Sequence, residues 1–571
     1  MLRPLFTTSE GQALPWVAVA CALLLLVGLA VRIVGLDYNL PAVRGHDERA
    51  FEIQVAHFRE GAAAPRGKEW VIDAYPHLLP RAAALLPDPT PTLGAEASLE
   101  EHRAAASAAW VQLRRLSAWL GWLLVPLTYL LARRWLEPMA SLFACGLIAT
   151  SMLCVTLSVQ AKPHAAAGSL LLLSLLCTLS FAAAPSLPRA LGMGVAGALA
   201  AGTLHSAWIS LPPIVLASAL ALRAQHARSA AAGIRWSRLA AASLPFVACL
   251  WIAYPFFLPG VEAAAEYTPR GTGLTGFLGF FEDGFRGANF GGLFGGVWAL
   301  DPLLVLLGAL GLGVLVWDFQ RAWLREPAAL LIGAFALPSA AVLALHEGTL
   351  VRFLLPFAAL AALAAGYAFQ RLVLLPGRAP ALVLGLVLAL SAIPAVQFAW
   401  IRTQKDPLTE CAEWIEAHVP REETIVFVPY GDIPLPYERG SALENAGATE
   451  RSLWSEWQLR QAIEDPAHPQ RPIRIEPGTR PESRLQLLSD PRAYLESVGA
   501  RWVVIDLSGG GSELFRDCAE RVARFSSRRS DDGVDRGLSL AGTGWDRLRP
   551  GALRVLEMQS LGTSVEIWRL R

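Results

Sequence analysis

Long apolar segments alternate with short polar ones over residues 1–400 of the chain. A helix crosses the hydrocarbon core of a bilayer with about 20 apolar residues, so the pattern predicts about eleven membrane-spanning helices. The first segment has no small-residue cleavage site and no basic start beyond Arg3, which favours a retained membrane helix over a signal peptide. We expect the stretch 190–222 to form two short helices that meet near His205. The predicted spans are residues 15–36, 116–132, 139–158, 165–184, 190–205, 207–222, 240–258, 302–317, 327–345, 352–370 and 380–400.

The pattern changes after Trp400, where the shorter and more polar segments typical of a soluble domain begin. Segments with helix and strand patterns predict a small α/β domain over residues 401–571. The expected fold is therefore an α-helical polytopic membrane protein with a C-terminal soluble α/β domain. The glycine triplet 509–511 fits a plain turn or a phosphate-binding turn, although it lacks the GxGxxG pattern. We predict helices at 408–418, at 493–498 and from Ser512, strands at 424–429 and 502–506, and irregular structure over 430–491.

Composition also indicates a membrane protein. Hydrophobic residues make up 54% of the chain and charged residues 17%, whereas soluble domains carry roughly 25% charged residues. The formal net charge of +1 gives no electrostatic reason to expect nucleic acid as a partner. The seven cysteines include no CxxC pair, which disfavours a zinc or redox site. Cys411 and Cys518 lie in the polar tail, where a disulfide and two free thiols are both open.

Arginines in short loops predict the orientation, because cytoplasmic loops carry an excess of Lys and Arg. With a cytoplasmic N-terminus, these loops all fall on the cytoplasmic side, and a bacterial inner membrane is the expected location. The first long loop, 37–115, the glycine-rich loop 259–301 and the C-terminal domain then lie on the other side. The glycine-rich loop fits a mobile loop near a ligand or a disordered connector. The arginines are Arg133, Arg134, Arg189, Arg223, Arg228, Arg235, Arg238, Arg321, Arg325, Arg371 and Arg378.

Three clusters of ionisable residues are predicted on the non-cytoplasmic side. Each cluster alone fits a helix cap or a contact with lipid headgroups, since charged groups avoid hydrocarbon. Three clusters on one face, beside a long loop, favour a polar active-site cavity instead. The clusters are His46-Asp47-Glu48 in the first loop, Lys162 with His164, and His346-Glu347 with Arg352.

Such a cavity suits transfer from a phosphate-linked donor. A carboxylate of Asp47 or Glu48 can act as general base on an acceptor hydroxyl. Lys162 and Arg352 can neutralise the phosphate oxygens of the leaving group. The carboxylates and imidazoles could also hold a divalent cation, and Mg²⁺ or Mn²⁺ is the one cofactor that we expect.

Several stretches resemble the polytopic glycosyltransferases of the GT-C fold, of the protein O-mannosyltransferase and aminoarabinose-transferase type. The first stretch is GLDYNLPAVRGHDERAF, where the family has an acidic pair after its first helix. The order and spacing of the stretches cover most of the chain. The others are RRLSAWLGWLLVPLTYLLARRWLEPMASLFACGLIATSMLCVTLSVQAKPHAAAGSLLLL, TLVRFLLPFAALAALAAG and DPLTECAEWIEAHVPREETIVF.

The resemblance implies a polyprenyl phosphate sugar as donor and inverting transfer to a lipid, glycan or protein acceptor. It places the catalytic acid of the first loop at Asp47, with Glu48 as the alternative. It places the contacts to the donor phosphate at Lys162 and Arg352. The second polar position, often an acid in the family, is His164 in this chain, and this departure puts metal coordination in doubt.

The predicted function is a membrane glycosyltransferase that acts on the non-cytoplasmic face, with residues 1–400 as its transmembrane domain. A transporter or flippase of lipid-linked substrates is one alternative, which broken helices near the bilayer midplane and repeated halves would favour. An inactive scaffold in envelope assembly, with the tail as its binding module, is another. Whether Asp47 and Lys162 reach one common site distinguishes the enzyme from the scaffold.

Overall fold

The computed structural model describes most of the helical part of the chain and the sheet of its tail. Of His46 and Asp47 it describes the backbone alone. The described residues are 15–41, 46–61, 74–89, 98–228, 236–255, 290–319, 327–345, 351–373, 379–428, 433–435, 439, 442, 453–464, 475–477, 481–507, 512–528 and 554–571.

Helices dominate the described part of residues 15–401. Two 3-10 turns, His205–Ser210 and Val351–Leu354, directly precede α-helices. The α-helices are α1 (Pro15–Ile33), α2 (His46–Glu60), α3 (Leu78–Ala84), α4 (Leu99–Trp122), α5 (Leu124–Ala132), α6 (Pro138–Thr150), α7 (Met152–Ser158), α8 (Pro163–Ala183), α9 (Leu187–Thr203), α10 (Leu211–Arg228), α11 (Trp236–Ala253), α12 (Phe290–Leu300), α13 (Pro302–Phe319), α14 (Pro327–Leu345), α15 (Leu355–Val373) and α16 (Ala379–Ile401).

The described helices include 7 that are long and apolar enough to cross a membrane, or 8 spans if the bent pair α6 and α7 forms one. The protein is therefore an integral membrane protein. Each predicted apolar segment overlaps described helices, although 116–132 divides between α4 and α5 and 139–158 divides between α6 and α7. The stretch 190–222 divides into α9 and α10 as expected. Because some of these helices, such as α11 and α13, are shorter than a typical span, the count of about eleven stays a prediction.

The first loop contains more helix than the sequence pattern indicates. It holds α2 and α3, and α4 begins at Leu99, well before the predicted start at residue 116. Ser98 explains this early start, because its hydroxyl accepts a hydrogen bond from the N–H of Glu101 at 3.3 Å, and the Glu101 carboxylate accepts from the N–H of Ser98 at 2.6 Å. This reciprocal arrangement is a capping box.

The tail folds around a five-stranded sheet with the order β2-β1-β3-β5-β4. The first three strands of that order run parallel, and β5 pairs antiparallel with both β3 and β4. The prediction of a C-terminal α/β domain is thus confirmed. The elements are α17 (Pro407–His418), β1 (Thr424–Val428), α18 (Leu453–Glu464), β2 (Ile475–Pro477), α19 (Pro481–Ser489), α20 (Pro491–Ser497), β3 (Ala500–Asp506), β4 (Ala519–Phe525) and β5 (Val565–Leu570).

Two predictions for this domain are wrong. The stretch 430–491 is not irregular throughout, because it contains α18, β2 and α19. The helix predicted from Ser512 is a 3-10 turn, Ser512–Phe515, which leads into β4. The sequence does not indicate β4 as a strand, because it has too few alternating apolar residues. In the structure, only the first residue of β4 is fully buried. The glycine triplet 509–511 lies outside the described residues.

Cys411 and Cys518 are free thiols that lie on opposite faces of the sheet. Cys411 packs in the cluster that contains Ile425 of β1, whereas Cys518 packs in the cluster that contains the next residue, Val426. Successive residues of a strand point to opposite faces. The sheet therefore separates the two thiols, and the disulfide alternative does not hold in this structure.

The tail packs on the first loop and on the transmembrane helices. Arg103 of α4 donates to the carbonyl oxygen of Pro434 at 3.0 Å, and the N–H of Trp454 donates to the carbonyl oxygen of Pro41 at 3.1 Å. Val555 and Met558, near the end of the chain, join the hydrophobic core of the transmembrane helices. The C-terminal domain therefore contacts the chain on both sides of α2.

Candidate active site

The candidate site is built around the carboxylate of Glu48, which lies in the first turn of α2 and is 4% exposed. Its Oε1 accepts hydrogen bonds from Nε of Arg114 at 3.1 Å and from the N–H of Ala161 at 2.6 Å. Its Oε2 accepts from Nη2 of Arg114 at 3.2 Å. These bonds tie the start of α2 to α4 and to the turn between α7 and α8.

Arg114 also fixes the chain that leads into α2. Its Nη1 donates to the carbonyl oxygens of Leu36 at 2.9 Å and Tyr38 at 2.8 Å. Its guanidinium carbon lies 4.2 Å from the centroid of the Tyr38 ring. A fully buried cation is costly unless its charge and its N–H groups are matched. Glu48 and the two carbonyls supply that match, so Arg114 holds both ends of the segment 36–48.

The environment of Glu48 favours its ionised form. Burial alone would raise the pKa of the Glu48 carboxyl, but the charge of Arg114 and the hydrogen bonds from Arg114 and Ala161 hold that pKa below its usual value. Because both oxygens already accept hydrogen bonds, the geometry suits a residue that holds the site together. A general base needs a free lone pair directed at the acceptor hydroxyl.

Lys162 follows Ala161 in the turn between α7 and α8. Burial lowers the pKa of the Lys162 ammonium group, the neighbouring carboxylate of Glu48 raises it, and the charge of Arg114 lowers it further. The balance is a pKa below the usual value for lysine. The carbonyl of Lys162 accepts a hydrogen bond from Oγ of Ser117 at 3.3 Å, which attaches the turn to α4.

A glycine allows this turn to lie so close to α4. A Cβ atom built on Gly121 would lie 2.2 Å from Oγ of Ser158, 2.7 Å from its Cβ and 3.0 Å from Cβ of Ala165. Ser158 ends α7, and Ala165 lies in the first turn of α8. Gly121 therefore sets the distance between α4 and the Lys162 turn.

Aromatic rings connect this turn to Arg352. The centroid of the His164 ring lies 5.5 Å from that of Phe353 and 6.2 Å from that of Tyr75. The Arg352 guanidinium carbon lies 5.5 Å from the centroid of the Phe353 ring. His164 is 3% exposed, and its Nδ1 makes no hydrogen bond within the described residues. Arg352, which precedes α15, is thus linked to the Lys162 turn through the ring of Phe353, which contacts His164.

The segment around Tyr75 packs against α2. Nε2 of Gln54 donates to the carbonyl oxygen of Tyr75 at 3.0 Å, and the rings of Phe51 and Tyr75 meet edge to face at 6.4 Å. Both rings belong to the buried cluster that includes Ala161 and residues of α8 and α9. The first loop therefore forms a packed layer on the transmembrane helices beside Glu48.

The structure brings together three of the residues that the sequence singles out: Glu48, Lys162 and His164. Arg352 precedes Phe353, whose ring contacts His164. The backbone of Asp47 lies one residue before Glu48 in α2. The side chains of His46 and Asp47 lie outside the described part of the structure, as do His346 and Glu347 in full.

Sequence reasoning missed Arg114, Tyr75 and Phe353. Arg114 carried a signal, because it lies two residues before the apolar stretch 116–132 and a cation at that boundary requires a partner. Tyr75 and Phe353 carried none, since an aromatic residue beside a polar one is common in any membrane protein.

The described residues do not form a cation site. No group of three His, Cys, Asp or Glu side chains among them is close enough to hold a metal ion. The oxygens of Glu48 are taken by Arg114 and Ala161, and the His164 ring lies between aromatic rings. The expectation of Mg²⁺ or Mn²⁺ therefore has no support from the residues described at this site.

No family model and no curated protein matches this chain. Solved structures do resemble it. ArnT from Cupriavidus metallidurans bound to undecaprenyl phosphate is 17% identical, with a TM-score of 0.47 over 90% of this chain and 96% of that one. The oligosaccharyltransferase of Archaeoglobus fulgidus tethered with an acceptor peptide is 13% identical, with a TM-score of 0.46 over 86% of this chain and 69% of that one.

Arabinofuranosyltransferase AftD from Mycobacteria is 16% identical, with a TM-score of 0.42 over 100% of this chain and 40% of that one. The functional proposal rests on the residues around Glu48.

Proposed function

We propose that this protein is a membrane glycosyltransferase that moves a sugar from a polyprenyl phosphate donor to an acceptor hydroxyl on the non-cytoplasmic face. The acceptor class comprises lipids, glycans and proteins. Asp47 is the proposed general base, and Lys162 and Arg352 are the proposed contacts to the donor phosphate. Glu48 is the proposed positioning residue that holds the base beside those cations.

One observation carries the proposal: the hydrogen bond of 2.6 Å between the Glu48 carboxylate and the N–H of Ala161. Asp47 precedes Glu48, and Lys162 follows Ala161. The acidic first turn of α2 and the cationic turn before α8 are therefore neighbours, although the two stretches are far apart in the sequence. This juxtaposition supports a shared site over unrelated helix caps at these two stretches.

The site lies where an amphiphilic donor can bind. Lys162 precedes α8 and Arg352 precedes α15, and both helices are apolar enough to span a membrane. A polyprenyl chain can lie against such helices within the bilayer while its phosphate meets cations at the helix ends. Arginine can contact phosphate oxygens bidentately, and lysine contacts them as a compact point charge.

In the proposed reaction, the Asp47 carboxylate takes the proton of the acceptor hydroxyl as its oxygen attacks the anomeric carbon of the sugar. The new bond forms between that oxygen and the anomeric carbon. The bond between the anomeric carbon and the phosphate oxygen breaks, and the polyprenyl phosphate leaves with the electron pair. Lys162 and Arg352 stabilise the negative charge that develops on the phosphate. Attack opposite the leaving group inverts the anomeric configuration.

The full chain in proteoliposomes, incubated with a panel of radiolabelled polyprenyl phosphate sugars, tests this proposal. We expect release of polyprenyl phosphate and labelled acceptor from at least one donor. Lys162→Met should raise the donor KM about tenfold or more, because a charge-assisted contact to the phosphate is lost. Lys405→Met is the matched control, since Lys405 forms an exposed ion pair with Glu413 at 2.8 Å in the C-terminal domain.

Equal kinetics for wild type, Lys162→Met and Lys405→Met would contradict the assignment of the phosphate site. Transbilayer movement of a lipid-linked sugar without cleavage would contradict the transferase proposal and support the flippase alternative.

A further inference from the structure

The third span contains a break that is locked by two buried charged side chains. α6 ends at Thr150, α7 begins at Met152, and the two helices are bent by 50° at Ser151. A break leaves carbonyl groups at the end of α6 and N–H groups at the start of α7 without intrahelical partners. In a buried position these groups must be satisfied by other residues.

Arg32 of α1 satisfies the carbonyl side of the break. Its Nη1 donates to the carbonyl oxygen of Ala149 at 2.9 Å, and its Nη2 donates to that of Ile148 at 3.1 Å. Nη1 also donates to the carbonyl oxygen of Gly28 at 2.7 Å, within α1. The side chain is fully buried. Arg32 therefore attaches α1 to the end of α6.

Asp301 satisfies the N–H side of the break. Its Oδ1 accepts from the N–H of Met152 at 2.8 Å, and its Oδ2 accepts from the N–H of Leu153 at 2.9 Å and from Oγ of Ser151 at 2.7 Å. Oγ of Ser151 in turn accepts from the N–H of Cys154 at 3.1 Å. Asp301 lies between α12 and α13, so it attaches the end of the second loop to α7.

The other end of α7 leads into the proposed phosphate site. α7 has 7 residues and ends at Ser158, which corresponds to about 10 Å of helix. The turn that follows contains Ala161, the hydrogen-bond partner of Glu48, and Lys162. A short helix held at one end transmits a displacement of that end directly to the turn at its other end.

We propose that Asp301 is a positioning residue for the Lys162 turn, and this inference rests on the proposed function. By fixing the start of α7, Asp301 sets where Ala161 meets Glu48 and where Lys162 meets the donor phosphate. Asp301 itself contacts neither the acceptor nor the sugar. Its removal should weaken donor binding because a misplacement of about 1 Å costs up to roughly 10²-fold.

The test compares Asp301→Asn with wild type in two measurements on the full chain in detergent micelles or proteoliposomes. The first is the rate at which N-ethylmaleimide modifies Cys154, quantified by mass spectrometry of its peptide. Cys154 is fully buried in α7, so we expect its modification to accelerate about tenfold or more when the start of α7 is released. The second is the donor KM, which we expect to rise at least about fivefold while kcat for the bound donor changes less.

Asp318→Asn is the matched control, because Asp318 lies at the other end of α13 and accepts from Nε of Arg371 at 2.9 Å. Both measurements should match wild type in this variant.

If Asp301→Asn does not fold, Ser151→Ala provides the second test, since it removes one donor to Asp301 and leaves the carboxylate in place. A purely structural role predicts a lower yield of folded protein with unchanged Cys154 modification and donor KM, and that result would overturn the inference. Absence of transfer in wild type would count against the proposed function, and the Cys154 measurement would still decide whether Asp301 fixes α7.

Discussion

Glu48 and Arg114 are 66 positions apart in the chain, and their side chains form a buried ion pair with an N–O distance of 3.1 Å. The pair joins the first helix of the first loop to the second transmembrane segment. The third partner, the N–H of Ala161, adds the turn that carries Lys162. Three parts of the chain thus meet at one carboxylate.

Replacement of Arg114 should cost much of the stability of this region. Arg114→Gln leaves the Glu48 carboxylate buried without its cation. It also removes the N–H groups that donate to the carbonyl oxygens of Leu36 and Tyr38. Loss of one partner of a buried ion pair typically costs about 3–5 kcal/mol. We expect the free energy of unfolding, measured by denaturation of the purified protein in detergent, to fall by about that amount. Arg115→Gln, at the exposed neighbouring position, should change it by less than about 0.5 kcal/mol, and equal effects of the two variants would contradict the structural role of Arg114.

The stability that Glu48 provides should depend on pH in a defined direction. The pKa of Glu48 is lower in the folded protein than the usual carboxyl value, which is about 4.3 in the unfolded chain. The contribution is therefore present in full above about pH 5 and is lost as the pH falls through the lowered pKa. Thermal unfolding followed from neutral to acidic pH should show a steeper decline of Tm for wild type than for Glu48→Gln. Parallel curves for the two proteins would show that Glu48 titrates with its usual pKa.

Gly121 should not tolerate even one additional methyl group. Gly121→Ala places a Cβ within 2.7 Å of Cβ of Ser158, so α4 and the Lys162 turn must separate. We expect lower thermal stability and at least about tenfold lower transfer activity, because the turn would shift relative to Glu48. Gly192→Ala in α9 is the control, since no atom lies within 4 Å of the position that its Cβ would take; alanine there should be neutral or stabilise the helix by up to about 1 kcal/mol. Similar behaviour of both variants would contradict the close approach at Gly121.

Much of the helical architecture could be predicted because hydrophobicity alone specifies it. Every apolar stretch of the required length, from 15–36 to 380–400, overlaps described helices. The start of α4 at Leu99 could not be placed in the same way, because its first turns are polar and lie outside the apolar stretch. A capping box, Ser98 with Glu101, was the local signal for it.

The residues of the candidate site also include some that could be predicted from the sequence and some that could not. Glu48, Lys162 and Arg352 could be singled out since each is ionisable and close to the end of an apolar stretch. The partners that connect them, Arg114 and Phe353, could not be paired with them from the sequence. Such pairing depends on which helices pack together. The contact between Glu48 and Ala161 leaves no sequence signal, because its donor is a backbone N–H that any residue type except proline would provide.

In the proposed mechanism, Asp47 supplies the base beside the cations that bind the donor phosphate. The most direct measurement is the initial rate of sugar transfer from a polyprenyl phosphate sugar by wild type, Asp47→Asn and Asp37→Asn. Asp37 is an exposed carboxylate of the same loop and serves as the control. We expect Asp37→Asn to keep the wild-type rate, whereas the rate of Asp47→Asn, folded and able to bind donor, should fall about 10²–10⁴-fold. Full transfer by Asp47→Asn would contradict this mechanism.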